Sequence, residues 1–292
     1  MKAQLFPRPA TRALDGHSKG MAKTVKFAKV VGTGNDFILV DGRNGYSLGA
    51  NPARFAREWC DRKRGIGADG LLVLLPSRKG DARMEIYNSD GSRASMCGNG
   101  LRCVVWYLHA KDHGKKEITV ETGAGVMKTR VIENERTRIY MTPPKDFRLG
   151  IKLTALGKKY LLHQVNTGVP HAVLFVSNLD KVETSSLGPV IRHHKFFKPA
   201  GTNVNWVRTN SPHEISIRTF ERGVEGETLA CGTGAVATAV IGTVLGKLQP
   251  PVHILTASGE RLTVGFHREK NPWEDLYLEG PARILFEGVI RL

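Results

Sequence analysis

Cys97 and Cys231 are the residues best placed to do chemistry in this chain. Each opens a Cys-Gly-x-Gly element, Cys97-Gly98-Asn99-Gly100 and Cys231-Gly232-Thr233-Gly234, and the two cysteines lie 134 residues apart. Each element runs into an apolar, helix-like stretch, Leu101–Trp106 in the first and Ala235–Val240 in the second. Glycines at a helix start leave several backbone N–H groups bare and let a ligand approach closely. The helix dipole makes that end a seat for an anion, and the same field lowers the pKa of a thiol placed there. The spacing therefore predicts two acidified thiols, one per half of the chain, each beside an anion seat. That arrangement suits chemistry needing two matched acid/base groups on one carbon. Phosphate binding alone is the alternative, but neither loop continues into the Gly-Lys-Ser/Thr of a P-loop. Gly32-Thr33-Gly34 also lacks the third glycine of a dinucleotide fingerprint.

Other polar residues cluster near these elements. Asn35-Asp36 follow a Gly-rich turn, Asn88 ends a strand upstream of Cys97, Asn203 starts a strand, and Glu221-Arg222 end a strand upstream of Cys231. Singly, an Asn at a strand end is usually a turn residue, and adjacent Glu-Arg is usually a surface pair. Their shared proximity to the Cys loops makes them candidate binding residues. The other two cysteines, Cys60 and Cys103, fall within helical patterns and read as core. No C-x-x-C pair is present, so a metal site is not expected.

The elements that must position these residues are mostly strands. Strands are expected at 25–31, 37–41, 71–75, 84–87, 117–121, 126–131 and 138–141, with a helix over about 52–61 capped by Asn51 and another from Cys97 to about His109. Pro143-Pro144 breaks the pattern. Further strands are expected at about 160–165, 172–176, 204–208, 214–220, 252–256, 261–267 and 283–290, with helices near 185–193 and from Gly232 to about Gly246. The halves read as a diverged repeat of strands, a Cys-Gly-x-Gly turn, an apolar helix and more strands. A helix apolar on nearly all sides must be wrapped. The fold class is therefore α+β: two pseudo-symmetric domains, each a curled, mostly antiparallel or mixed sheet around a central helix. The expected division is a disordered basic tail over 1–21, a first domain over 22–142, and a second over 143–280. The final strand, 283–290, is expected to return to the first domain.

A chain of 292 residues with 41% hydrophobic and 24% charged residues is ordinary for a globular protein of two domains. No apolar run approaches the roughly 18 residues that span a bilayer, and no apolar segment marks a secretory signal. Four cysteines without a signal suit a reducing cytoplasm. The net charge of +16 raises nucleic-acid binding, but the Lys and Arg residues are scattered and no recognition motif accompanies them. No nucleic acid and no membrane are expected as partners.

The segments Gly32-Thr33-Gly34-Asn35-Asp36-Phe37, Gly67-Ala68-Asp69-Gly70, Tyr87-Asn88-Ser89-Asp90-Gly91, Met96-Cys97-Gly98-Asn99-Gly100, Gly201-Thr202-Asn203-Val204-Asn205 and Glu221-Arg222-Gly223, with Glu227 through Gly234, resemble diaminopimelate epimerase. The resemblance covers about residues 22–292. It implies a homodimeric epimerase, free of any cofactor, that interconverts the LL and meso forms of 2,6-diaminopimelate for lysine and peptidoglycan synthesis. It implies that Cys97 and Cys231 are catalytic and that Asn35, Asn88, Asn203 and Arg222 bind substrate. Gly98-Asn99 and Gly232-Thr233 match the loops that hold the reacting carboxylate, and His171 and Glu221 match polar groups near the thiols. The proline racemase group, with the same fold, typically carries His where this chain has Asn99. Two departures from the family pattern are Val169, where Asn is common, and a stretch Val224–Glu227 one residue longer than usual.

Overall fold

The computed structural model describes residues 24–45, 48, 51–267, 273 and 275–291. The segment read as a tail, 1–21, lies outside the described residues. The first half runs β1 (Thr24–Gly32), β2 (Asn35–Asp41), α1 (Pro52–Trp59), β3 (Gly70–Leu75), β4 (Ala82–Asn88), β5 (Arg93–Ala94), α2 (Gly98–Lys111), β6 (Glu117–Thr122), β7 (Gly125–Val131) and β8 (Arg136–Tyr140). The second runs β9 (Lys145–Ala155), β10 (Lys158–Asn166), β11 (Pro170–Phe175), α3 (Thr184–Arg192), β12 (Asn203–Ser211), β13 (Glu214–Glu221), β14 (Gly226–Thr228), α4 (Gly232–Val244), β15 (Val252–Leu255), β16 (Arg261–Gly265), β17 (Tyr277–Pro281) and β18 (Arg283–Arg291).

Strand pairing repeats one order twice. In the first half β1–β2 is antiparallel, β2–β3 parallel, β3–β4 antiparallel, β4–β6 parallel, and β6–β7 and β7–β8 antiparallel. In the second, β10–β11, β11–β12, β12–β13, β13–β15, β15–β16 and β16–β17 follow the same sequence of senses. The short strands β5 and β14 sit at matching places beside β4 and β13. Antiparallel β8–β17 joins the two series. At the outer ends β18 pairs with β1 and β9 with β10. The fold is the α+β double repeat expected.

Four strands were not anticipated: the short β5 and β14, and the longer β9 and β17. β9 carries Lys145, Asp146, Arg148 and Lys152, and only Leu153 and Ala155 are buried. An edge strand facing water on most positions loses the alternation that reveals strands. β17 contains Gly280 and ends at Pro281, residues that weaken strand patterns. Gly280 has a packing reason: a Cβ there would stand 3.0 Å from Arg102 Nε.

Each half wraps its apolar helix. Leu101, Val104, Val105 and Leu108 of α2 share one core with Leu72, Ile86, Val120 and Ile139. Val236, Val240 and Ile241 of α4 share another with Val165, Val173, Ile217 and Val264. Residues Gly234–Thr243 of α4 are all buried. Its β-branched residues and Gly242 are poor helix formers, at a cost of up to about 1 kcal/mol each. Burying a Val or Ile contributes about 1.5–3 kcal/mol, so packing prevails over propensity. α1 is capped as expected, with Asn51 Oδ1 accepting from Arg54 N at 3.1 Å. No helix among the described residues is long and apolar enough to cross a membrane.

Candidate active site

Both Cys-Gly turns start their helices in the same manner. Cys97 is extended (φ −142°, ψ 121°) and caps α2, its Sγ accepting the Gly100 N–H at 3.5 Å. Cys231 is extended (φ −120°, ψ 111°) before α4, with Sγ 3.6 Å from Thr233 Oγ1. The Thr233 carbonyl accepts a 3.0 Å bond from Thr167 Oγ1, which ties the turn to the end of β10.

The two helix starts converge on β17. Leu278 Cδ2 lies 3.9 Å from the position a Cβ would take on Gly98 and 2.9 Å from that on Gly232. The β1–β2 turn crosses between halves as well: a Cβ on Gly34 would stand 3.0 Å from Ser258 and 3.2 Å from Leu229, two residues before Cys231. Gly34 is in the left-handed region (φ 79°), where glycine avoids strain.

A polar chain binds the first-half candidates together. Arg102 Nη2 donates to Thr33 Oγ1 at 2.7 Å and to Asn99 Oδ1 at 2.6 Å. Asn99 Nδ2 donates to Asn35 Oδ1 at 3.1 Å, and Asn35 Nδ2 donates to Asp69. Arg62 bridges Asp69 at 2.8 Å and Asp36 at 2.7 Å. Lys29 reaches Asp36 at 2.6 Å. Burial alone would raise the Asp36 pKa, but hydrogen bonds from Arg62 and Lys29 outweigh it and hold it at about 2. Asn88 is in register with Gly70, next to Asp69. Its Nδ2 donates to Ser92 Oγ at 2.9 Å, and Ser89 N donates to the Asp69 carbonyl at 3.2 Å.

The second-half candidates form their own group. Asn203 faces His171 across the β11–β12 ladder. Its Oδ1 accepts from Arg222 N at 2.8 Å and its Nδ2 donates to the Pro170 carbonyl at 3.2 Å. Glu221 Oε1 accepts from Thr228 Oγ1 at 2.6 Å, and the charge of the same carboxyl acts on Cys231. His171 is fully buried; Asn205 Nδ2 donates to its Nδ1 at 3.1 Å, while Nε2 has no partner. Burial, aided by the charge of Arg222, pushes the His171 pKa down to about 3. The two groups approach each other through Leu278 and Arg102.

The electrostatics correct one expectation. Both thiols were expected to be acidified by their helix ends, and both are shifted the other way. Burial pushes Cys97 up, against the N–H groups of Gly100 and Asn99 and the charge of Arg102. Burial and then the charge of Glu221 push Cys231 well above an ordinary thiol, against Thr233 and the Gly234 N–H. Desolvation of a small anion outweighs the partial charge of a helix end. Burial likewise raises Glu221. Cys60 and Cys103 are buried core residues, as expected.

Residues of this network that carried no assignment from sequence include Lys29, Thr33, Arg62, Asp69, Arg102 and Asn205. Asp69 sits inside the Gly67–Gly70 motif and Asn205 inside the Gly201–Asn205 motif, so a signal was present at both. Arg102 is a charged residue within an apolar stretch, its one sign of buried polar work.

The model of the family "Diaminopimelate epimerase" matches residues 27–147 and 163–285. A diaminopimelate epimerase of Chlorobaculum tepidum is 44% identical over 89% of this chain and 99% of its own length. That of Aquifex aeolicus is 40% identical over 90% of this chain and 97% of its own. Among solved structures, a phenazine biosynthesis protein of the PhzF family from Bacillus anthracis superposes with a TM-score of 0.66 at 17% identity, covering 92% of this chain and all of its own. A probable proline racemase from Agrobacterium radiobacter with bound carbonate gives the same TM-score and identity, over 92% of each chain. These two share the fold.

Proposed function

The chain belongs to the diaminopimelate epimerase family, and we propose that it interconverts LL- and meso-2,6-diaminopimelate with Cys97 and Cys231 as paired acid and base, without a cofactor. As an amino-acid epimerase it serves lysine biosynthesis, and in our reading also peptidoglycan. The observation that carries the two-thiol reading is the meeting of the two Cys-Gly helix starts on either side of Leu278.

Inversion needs a proton removed from one face of the α-carbon and one delivered to the other. One cysteine, as thiolate, takes the α-proton; the opposite thiol gives its own to the other face, and the roles reverse in the other direction. The α-carboxylate sits between the helix starts, where the N–H groups after Gly98 and Gly232 face the charge that builds on it. Glu221, whose charge acts on Cys231 and whose own pKa is raised by burial, is suited to exchange a proton with that thiol. Asn35, Asn88, Asn99, Thr233, Asn203 and Arg222 hold the amino and carboxyl groups, and His171 supports the Asn203 side. Burial keeps both thiols protonated at neutral pH, so kcat/KM rises with pH until the second thiol ionises.

The protein works, in our reading, as a homodimer in the cytoplasm. The exposed apolar residues Leu285, Phe286 and Val289 on β18 support a self-association surface, and four free cysteines support a reducing compartment. The division into a first domain over 22–142, with β18 added, and a second over 143–280 is part of the same proposal. The deciding experiment is α-proton exchange by NMR in deuterated water with LL-diaminopimelate. Deuterium at one α-carbon with meso product, lost in both Cys97→Ser and Cys231→Ser, is expected. Exchange with a different amino acid alone would reassign the substrate, and full activity in either variant would overturn the two-thiol mechanism.

A further inference from the structure

Arg102 is fully buried, one turn into α2 from Cys97. A buried guanidinium is costly unless anionic charge comes to it, yet its hydrogen-bond acceptors are all neutral: Thr33 Oγ1, Asn99 Oδ1 and, at 3.5 Å, the Pro281 carbonyl. Nη1 has no partner and lies 4.0 Å from the Cβ position of Gly232, at the start of the opposite thiol's helix. The ionisable groups around it are Cys97 and Cys103 on its own helix, Glu260 before β16, and Arg136 on β8. Glu260 is paired with Arg283 and Arg136 with Glu279, and burial holds the Cys103 thiol far above its ordinary range. Cys97 is the remaining group able to become an anion next to this cation. Gly280 leaves the space the guanidinium occupies: a Cβ there would stand 3.0 Å from Nε and 3.3 Å from Cζ.

We propose that Arg102 is a positioning residue that supplies a fixed, buried positive charge beside the Cys97 turn, favouring the thiolate of Cys97 over that of Cys231 and orienting the amides of Asn99 and Asn35. The amide role follows from donor direction. Arg102 can only donate, so it fixes Asn99 with Oδ1 inward, and Asn99 then presents its Nδ2 to Asn35. Burial leaves Arg102 with a pKa of about 10, so it is charged at neutral pH. The inference builds on the two-thiol reading but is tested without substrate.

The test is the pH dependence of alkylation by iodoacetamide, read at each cysteine by peptide mass spectrometry, in the unmodified protein, Arg102→Lys and Arg102→Gln. In the unmodified protein the Cys97 midpoint lies below that of Cys231; the reverse order would overturn the proposal even if neither variant folds. Arg102→Gln, which keeps an amide donor but no charge, is expected to raise the Cys97 midpoint by about one pH unit, an about tenfold slower reaction below it. Arg102→Lys keeps the charge, and its midpoint stays within about half a unit. A folded Arg102→Gln protein with an unmoved Cys97 midpoint, or with both thiols moved equally, would refute the charge role. Deuterium exchange tests the reaction separately, so failure of one reading does not disguise failure of the other.

Discussion

Leu278 Cδ2 stands 2.9 Å from the Cβ position of Gly232 and 3.9 Å from that of Gly98. One methyl group thus measures the room at both Cys-Gly turns, and the two glycines are not equally constrained. Gly98→Ala meets only ordinary contact, and a helical Gly→Ala change gains up to about 1 kcal/mol. Gly234 differs from both, because a Cβ there would overlap Asn205 Oδ1 and press on Cys231 at 3.3 Å. Gly234→Ala is expected to lose about 1–3 kcal/mol by overpacking, while Gly98→Ala is neutral or stabilising. Denaturant unfolding of the two variants checks the order.

Asp69 accepts from Asn35 Nδ2, from Asp36 N at 3.2 Å and from Arg62 at 2.8 Å. Replacing this carboxylate by an amide frees the Asn35 side chain to turn over. Asp69→Asn is expected to lower kcat/KM about tenfold or more, the scale of one charge-assisted hydrogen bond. The effect should fall mainly on KM, with an unchanged circular dichroism spectrum. A variant with wild-type kinetics would remove Asp69 from the site.

His171 is buried neutral, its pKa held down to about 3 from an ordinary 6.5. A depressed folded-state pKa contributes stability that is present above about pH 6.5 and is lost as pH falls toward 3. The upper bound of that loss is about 5 kcal/mol. Acid unfolding should therefore begin below pH 6.5, and His171→Gln should flatten this part of the profile while lowering stability at pH 7. Equal acid sensitivity in both proteins would assign the transition elsewhere.

Cys97 and Cys231 must face one carbon if both serve it. Mild oxidation is then expected to join them and abolish activity, with recovery on reduction. Peptide mapping under non-reducing conditions checks the linkage. Loss of activity with both thiols still free would count against their opposition.

Much of this was legible in the sequence because it rests on local rules. The Cys-Gly-x-Gly turns announce helix starts, the apolar runs after them announce wrapped helices, and recurrence announces the double repeat. What was not legible depends on neighbours distant in the chain. β9 shows its strand character only through the ladder to β10. β17 shows its own only between β8 and β16. The thiols illustrate the deeper limit. A helix end is visible in sequence and argues for acidity, but the burial that reverses it, and at Cys231 the charge of Glu221, come only with the folded chain. Asp69 could be seen as part of a motif; its hold on Asn35 could not.

The pairing of β1 with β18 carries a consequence for how the molecule is made. Thr24–Val31 takes its outer partner from Arg283–Arg291, at the far end of the described chain. While the protein emerges during synthesis, β1 can zip to β2 but its other edge stays open until the second half has been completed. Contacts of such sequence separation slow folding and leave an unsatisfied strand edge in the intermediate. The first half thus lacks one edge pairing until β18 is made, and a site shared by the two thiols, as proposed above, can form only after the chain has closed on itself.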